Sequence, residues 1–493
     1  MRKAVLTALS LAVLLAFGLA GAGIADAQTL RIGVVGDIDN FDPHWNQLIA
    51  FRTFIRNTVF SSLVRLDENM RVIPELAESW EQPDDTTYIF RLRRGVTFHD
   101  GRPFTAEDVA YSFERTIENQ MTFATKLATV ESWQVLDDYT LQVNLKHPWA
   151  PFLDDLVEVA IVPKGAGDEL RSRPVGTGPF GFVEWLPNDR IVLEKNPDYW
   201  NAGHPKLDRI VIRVMPNATV ALANLQGREL DAVWDVPVAE AQSVARDPNV
   251  VWQRPAGSGS ILLVEINASE GPLADRRVRQ ALAHALNKMV VQRTTYFGEG
   301  EAIWSPLPPF SWAYEPQAGY DFNPNRAREL LAEAGYGSGL TLTVDVISDV
   351  KVMEDLATVW QAGLAQAGVQ LEIRRSALPV WLDRYVNHDY ELIINTFNVS
   401  GDPNSMFDVI FRPLLASVYD NQAMLDLILE GARTSDEAAR AEIYKQLQRM
   451  TVEEVAPVLI VQTQPVLAVT SPAVTVFPIN GRNEVMFERV EMR

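Results

Sequence analysis

The chain has 493 residues, no cysteine and a formal net charge of −20. One hydrophobic core serves at most roughly 250–300 residues, so two or three lobes are expected. The charge disfavours nucleic-acid binding. The missing thiols exclude disulfides, thiolate metal sites, cysteine nucleophiles and an acylated-cysteine lipid anchor.

The first residues have the order of a secretory signal. Arg2 and Lys3 precede an apolar run from Ala4 to Leu19, followed by Ala25-Asp26-Ala27, an A-x-A cleavage site. The run is shorter than the ~20 residues a membrane-spanning helix needs. Cleavage is expected after Ala27, so the mature chain begins at Gln28. With no anchor, the exported protein is expected in a Gram-negative periplasm.

Leu30 to Val35 then reads as a buried strand, with a polar loop from Asp37 to Asn46 after it. Tyr88 to Phe98 alternates as a half-buried strand, and Asp100-Gly101 turns the chain. Thr105 and Asp108 have capping-box spacing for a helix through Phe113 and Ile117. Val135 to Leu145 repeats the strand pattern, so residues 67–188 read as an α+β lobe. Further on, Asp275 caps a helix bearing Val278, Leu282, Ala285, Leu286 and Met289. Asn323-Pro324 starts another, which Gly335 ends. Leu340–Ile347, a helix bearing Leu356, Trp360 and Leu364, and Val369–Ile373 form a βαβ unit with a parallel strand pair. Tyr390 to Thr396 is a further strand, and Thr434 caps a late helix through Leu447 and Met450.

No motif commits the chain to chemistry. Gly176-Thr177-Gly178-Pro179-Phe180-Gly181 matches G-x-G-x-x-G, but a strand follows it and Pro179 sits inside it. It reads as a glycine turn joining lobes, not a nucleotide site. The six histidines form no H-x-x-x-H or H-E-x-x-H pair, and G-x-S-x-G is absent. No catalytic residue, metal ligand or cofactor is therefore expected. Trp45, Trp234, Trp304 and Trp381 fall in or beside predicted loops, where aromatics suit a binding cleft. Trp80, Trp133, Trp185, Trp200 and Trp360 belong to patterned elements and read as core.

Ordered landmarks carry a resemblance. They are Phe41-Asp42-Pro43; Pro74-Glu75-Leu76-Ala77-Glu78-Ser79-Trp80; Tyr88 through Gly101; Thr105-Ala106-Glu107-Asp108-Val109; Gly176-Thr177-Gly178-Pro179-Phe180; Asn196-Pro197-Asp198-Tyr199-Trp200; Gly227 with Asp231; Val278 to Leu282; and Leu330 to Tyr336. Together they resemble the family 5 extracellular solute-binding proteins, the dipeptide, oligopeptide and nickel-binding group of ABC transporters. The resemblance implies an α/β, type II periplasmic-binding fold with two hinged lobes and an extra α+β lobe. The first lobe would comprise residues 28–66, 189–262 and 468–493, the extra lobe 67–188 and the second lobe 263–467. It implies a monomer that captures a peptide-like solute by closing and hands it to an inner-membrane permease.

One position departs from the pattern. Peptide-binding members often carry an amine-pairing aspartate shortly before a late Asp-Pro pair. Here Asp402-Pro403 aligns with that pair, and Val399 stands at the aspartate's place. An unpaired buried ammonium is costly, which keeps a non-peptide ligand open: an oligosaccharide, an opine-like compound or a metal chelate. Trp45, Asn46, Trp234, Trp304, Asn398 and Asp402 are the expected pocket residues, from their loop positions and their aromatic or hydrogen-bonding capacity. A secreted hydrolase and a periplasmic chaperone or sensor partner are the other-class alternatives.

Overall fold

A computed structural model describes residues 28–46, 48–255, 257, 259–464 and 467–493. The proposed signal segment lies outside them. Among the described residues, no helix is long and apolar enough to cross a membrane.

Three sheets organise the chain. The first has seven strands in the order Phe180–Leu186, Arg190–Lys195, Arg209–Met215, Thr29–Val35, Ala232–Val233, Ala468–Thr470 and Val251–Gln253. Thr29–Val35 is central, and its apolar run is buried because parallel partners flank it on both sides. The second sheet is antiparallel, with Ala77–Asp84, Thr87–Leu92, Thr140–Leu145 and Val130–Asp137 in order. The third orders Val369–Ser376, Leu340–Ile347, Leu392–Asn398, Ser260–Ile266 and Val458–Thr463. We call the units built on them the first, extra and second lobes. The chain passes from the first sheet to the third between Gln253 and Ser260, and returns between Thr463 and Ala468.

Local signals set several boundaries. Thr105 forms a capping box with Asp108 at the start of helix Ala106–Glu118. Asn323 caps Pro324–Glu333 with proline in the first turn, and Gly368 ends Lys351–Ala367 at φ 89°. The expected βαβ unit is present, with Leu340–Ile347 parallel to Val369–Ser376.

Other expectations are corrected. The helix after Asp275 ends at His284, and a new one, Lys288–Thr295, starts on an Asn287 cap, which leaves Met289 half exposed. Asp436, not Thr434, caps Glu437–Glu454 by accepting from the Ala439 N–H. Trp381 lies within the helix Leu378–Asn387 and is buried. The glycine turn needs close approach rather than a left-handed backbone. A Cβ on Gly176 would stand 2.1 Å from the Val59 carbonyl oxygen, and one on Gly178 2.5 Å from that of Thr58.

The cores run into one another, and one apolar cluster joins first-lobe side chains such as Leu222, Leu225 and Val233 to the second lobe around Trp360. Leu30, Ile32, Phe41, Phe54 and Ile210 fill the first lobe, and Phe90, Phe98, Phe104, Phe113 and Leu141 the extra lobe. The second lobe packs apolar side chains on both faces of its sheet, around Trp360 on one and Phe407, Phe411 and Tyr444 on the other. Fully burying one such side chain contributes about 1.5–3 kcal/mol. Trp360 also donates its indole N–H to the Leu282 carbonyl at 3.0 Å.

Candidate functional site

The candidate site is the cleft between lobes. Its first-lobe side is built on a π-helical turn, Arg52–Arg56, a distortion common at functional sites. The Arg56 side chain is fully buried and pairs with Glu158 and, at 2.6 Å, with Glu484. Arg482 pairs with Glu158 and places Nε 3.6 Å from Glu484. Asn57 and Asn480 add amide hydrogen bonds to Glu484 at 2.9 and 3.0 Å. Arg52 reaches Glu158 at 3.2 Å and is one third exposed, the most open member of the cluster.

Three guanidiniums thus face two carboxylates. Burial lowers Arg52 to about 10, helped by the Arg56 charge, and lowers Arg482 to about 9. Burial pushes the Glu484 carboxyl up, but Arg482 and Arg56 outweigh it and hold Glu484 below its usual range. The cluster is a fixed charged floor with a surplus of cation.

The second-lobe side is the turn after Leu392–Asn398, followed by a second π-helical segment, Phe407–Phe411. Val399 is 1% exposed, donates its N–H to the Gly259 carbonyl at 2.8 Å and packs in the cluster of Met406 and Phe407. Asp402 accepts from Arg440 and from the Asn404 N–H, both at 2.8 Å.

The lobes touch across the cleft. Ser400 Oγ donates to Asp154 Oδ2 at 2.6 Å. The Ala150 N–H donates to the Ala432 carbonyl at 2.8 Å. Arg71 pairs with Glu437 at 2.8 Å, and Ser435 Oγ donates to Asp85 at 2.7 Å. These contacts join the extra lobe to the second lobe.

The six expected pocket residues divide. Trp45 stays 38% exposed, and its carbonyl accepts from the Thr122 hydroxyl of the extra lobe at 3.0 Å. Asn398 is exposed at the end of its strand, opposite Ser260. Asn46 is buried and holds its own loop, donating to Asp39 Oδ1 at 2.7 Å and the Asn40 carbonyl at 2.6 Å. Trp234 is 5% exposed and packs edge-on to Phe54 in the first-lobe core. Trp304 packs inside the second lobe against Tyr320, with Lys288 Nζ 3.0 Å from its ring centroid. Asp402 is committed to Arg440. Trp45 and Asn398 are therefore the two with exposed side chains. Arg52, Asp154, Ser400 and Arg482 were not singled out from sequence, because the partners that join them across lobes, Glu158 and the Asp154–Ser400 pair, lie far away in the chain.

Histidines serve structure. His44 binds the Ala160 carbonyl and Arg115, and burial pushes it down to about 4. His99 holds the Gly178 carbonyl at 3.0 Å.

Comparison with known proteins places this geometry. The model of the bacterial extracellular solute-binding proteins, family 5 (middle) matches residues 71–414. The heme-binding protein A of Haemophilus influenzae is 31% identical over 443 residues, 79% of each chain. The dipeptide-binding protein of Escherichia coli is 27% identical over 96% of each chain. Among solved structures, the periplasmic binding protein DppA of Helicobacter pylori in complex with peptide STSA superposes with a TM-score of 0.78 at 25% identity. That match covers 94% of this chain and 98% of the other.

Proposed function

The chain belongs to the bacterial extracellular solute-binding proteins of family 5, binding components of ABC importers, and on that premise we propose that it captures a peptide or peptide-like solute in the periplasm by closing its lobes. The observation that carries this reading is the set of contacts across the cleft. The second lobe touches the extra lobe through polar contacts at Ser400, Ala432, Ser435 and Glu437, while the chain passes between the first and third sheets at residues 253–260 and 463–468, beside an apolar cluster that both lobes share. Contacts of that kind are made and broken by hinge closure, and a ligand touching both sides shifts the population toward the closed form.

The exported protein would be cleaved after Ala27 and act as a monomer, delivering its cargo to an inner-membrane permease. The strand Phe180–Leu186 belongs to the first sheet, so we draw the end of the extra lobe in the glycine turn before it. Ser260–Ile266 belongs to the third sheet, which puts the first crossing ahead of residue 260. Of the expected pocket residues, Trp45 and Asn398 keep their role in this proposal, joined by Arg52 at the edge of the charged floor.

A second reading has its own observation. Val399 is sealed in the second-lobe core and offers no charge to a peptide's amine. A non-peptide ligand, such as an oligosaccharide, an opine-like compound or a metal chelate, is favoured by that position. Thermal-shift measurements with di- and tripeptides, oligosaccharides and metal chelates separate the two. A ligand at a hundredfold excess over its dissociation constant stabilises by about 2.7 kcal/mol. Melting shifts with peptides support the first reading. Shifts confined to non-peptides overturn it in favour of the second.

A further inference from the structure

One side chain at the cleft sits outside the Arg482 cluster. Asp154, on the short helix Phe152–Leu156 of the extra lobe, is 6% exposed. Its Oδ2 accepts from Ser400 Oγ across the cleft, while its Oδ1 is buried with no hydrogen-bond partner. Gly401 seals that oxygen. A Cβ there would stand 3.0 Å from Asp154 Oδ1 and 2.4 Å from the Met70 carbonyl oxygen.

The charges around it have ion-pair partners of their own, and the Arg482 and Lys126 charges, which favour its carboxylate, do not outweigh its burial and the Asp402 charge. Asp402, from the second-lobe turn, is tied to Arg440. Lys126 is tied at 2.8 Å to Asp155, the next residue on the same helix. Arg482, from the C-terminal loop, is held by Glu158 and Glu484. An ionised carboxylate with a bare buried oxygen and a second acid nearby is costly, whereas a neutral acid there costs far less. Parting the lobes removes the Ser400–Gly401 turn and returns both oxygens to water.

We propose that closing the cleft takes up one proton from solvent at Asp154, so that the Ser400–Gly401–Asp402 turn is a clasp that engages a carboxylic acid and releases a carboxylate. The proton bonds to Oδ1, and Ser400 keeps donating to Oδ2. The clasp rests on the closing-cleft reading given above. Burial first, and then the Asp402 charge, pushes the Asp154 carboxyl up to about 6 from an ordinary 3.8. The closed form therefore holds the proton more tightly than the open one. Closure gains its full advantage below about pH 4 and loses it as pH rises through about 6. That difference corresponds to about a 100-fold change in the closed-to-open ratio.

Two fluorophores test this, one on Asp138→Cys in the extra lobe and one on Asn325→Cys in the second lobe. The chain has no cysteine of its own to interfere. Energy transfer is followed from pH 8 to pH 4.5, with the protein alone and with a periplasmic small-molecule extract. The closed-to-open ratio of the otherwise unaltered protein is expected to rise steeply as pH falls through about 6. Asp154→Asn is expected to flatten that profile. Ser400→Ala is expected to lower the ratio at every pH and to move the midpoint upward, because the Ser400 hydroxyl is a donor that favours the carboxylate. The clasp is overturned by an unchanged profile in Asp154→Asn. It is also overturned by a flat profile in the unaltered protein that still closes with extract, an outcome that leaves the closing cleft intact. Transfer that stays constant under every condition overturns both.

Discussion

On the first-lobe side of the cleft, five ionic side chains share one buried cluster: Arg52, Arg56, Arg482, Glu158 and Glu484. On the second-lobe side, Asp402 and Arg440 form a single pair, and Val399 beside them is apolar. The first arrangement draws its members from residues 52–56, 158 and 482–484, so it exists only once three distant segments of chain have met. The second is confined to one turn and the helix that supports it. A binding protein that closes on a solute needs one face that keeps its shape and one that arrives. The cross-linked cluster suits the first role, and the locally held turn suits the second.

The comparison breaks most visibly at Glu484. It accepts from Arg56, Asn57 and Asn480 and faces Arg482. Glu484→Gln leaves three guanidiniums against one carboxylate in a buried site. A loss of about 3–5 kcal/mol is expected, the usual cost of stranding a buried charge. Urea unfolding at pH 7 measures it, and a loss below about 1 kcal/mol would mean that the cluster is solvated and the floor is not preformed.

The same contrast explains what the sequence disclosed. Features fixed by neighbours in the chain were legible: the Thr105 capping box, the Asn323-Pro324 start, the Gly368 stop and the βαβ pair. The late helix misled because Thr434 and Glu437 have capping-box spacing, while Asp436, one residue before the first turn, is the better-placed acceptor. Loop position selected Trp45 and Asn398, whose side chains are exposed, and also Trp234 and Trp304, which tertiary packing draws into cores. Arg482 and Asp154 carry no local pattern at all. Their roles come from partners on other lobes.

The second-lobe pair should break more gently. Asp402→Asn keeps the side chain's shape but removes the charge opposite Arg440, which retains the Gly431 carbonyl and the Tyr444 hydroxyl as acceptors. About 2 kcal/mol is expected, in the range of a hydrogen bond to a charged group, again by urea unfolding. A cost equal to that of Glu484→Gln would erase the distinction between a cross-linked and a locally held face.

The smallest effect on stability is expected at the cleft's exposed positions, and there it is most informative. Trp45→Ala and Asn398→Ala remove exposed side chains; Trp45 meets the extra lobe through its backbone carbonyl, and Asn398 pairs with Ser260 through its strand. Each is expected to change unfolding free energy by no more than about 0.5 kcal/mol, as surface substitutions do. Any loss of affinity for the peptide, saccharide or chelate found by thermal shift then reports ligand contact, with no change of fold to confuse it. Titration calorimetry on the two variants decides the point. A tenfold or greater loss at Trp45 places the ligand against the first-lobe rim, and the same loss at Asn398 places it against the arriving face. Unchanged affinity in both variants would remove both residues from the site and leave Arg52, at the open edge of the charged floor, as its remaining candidate.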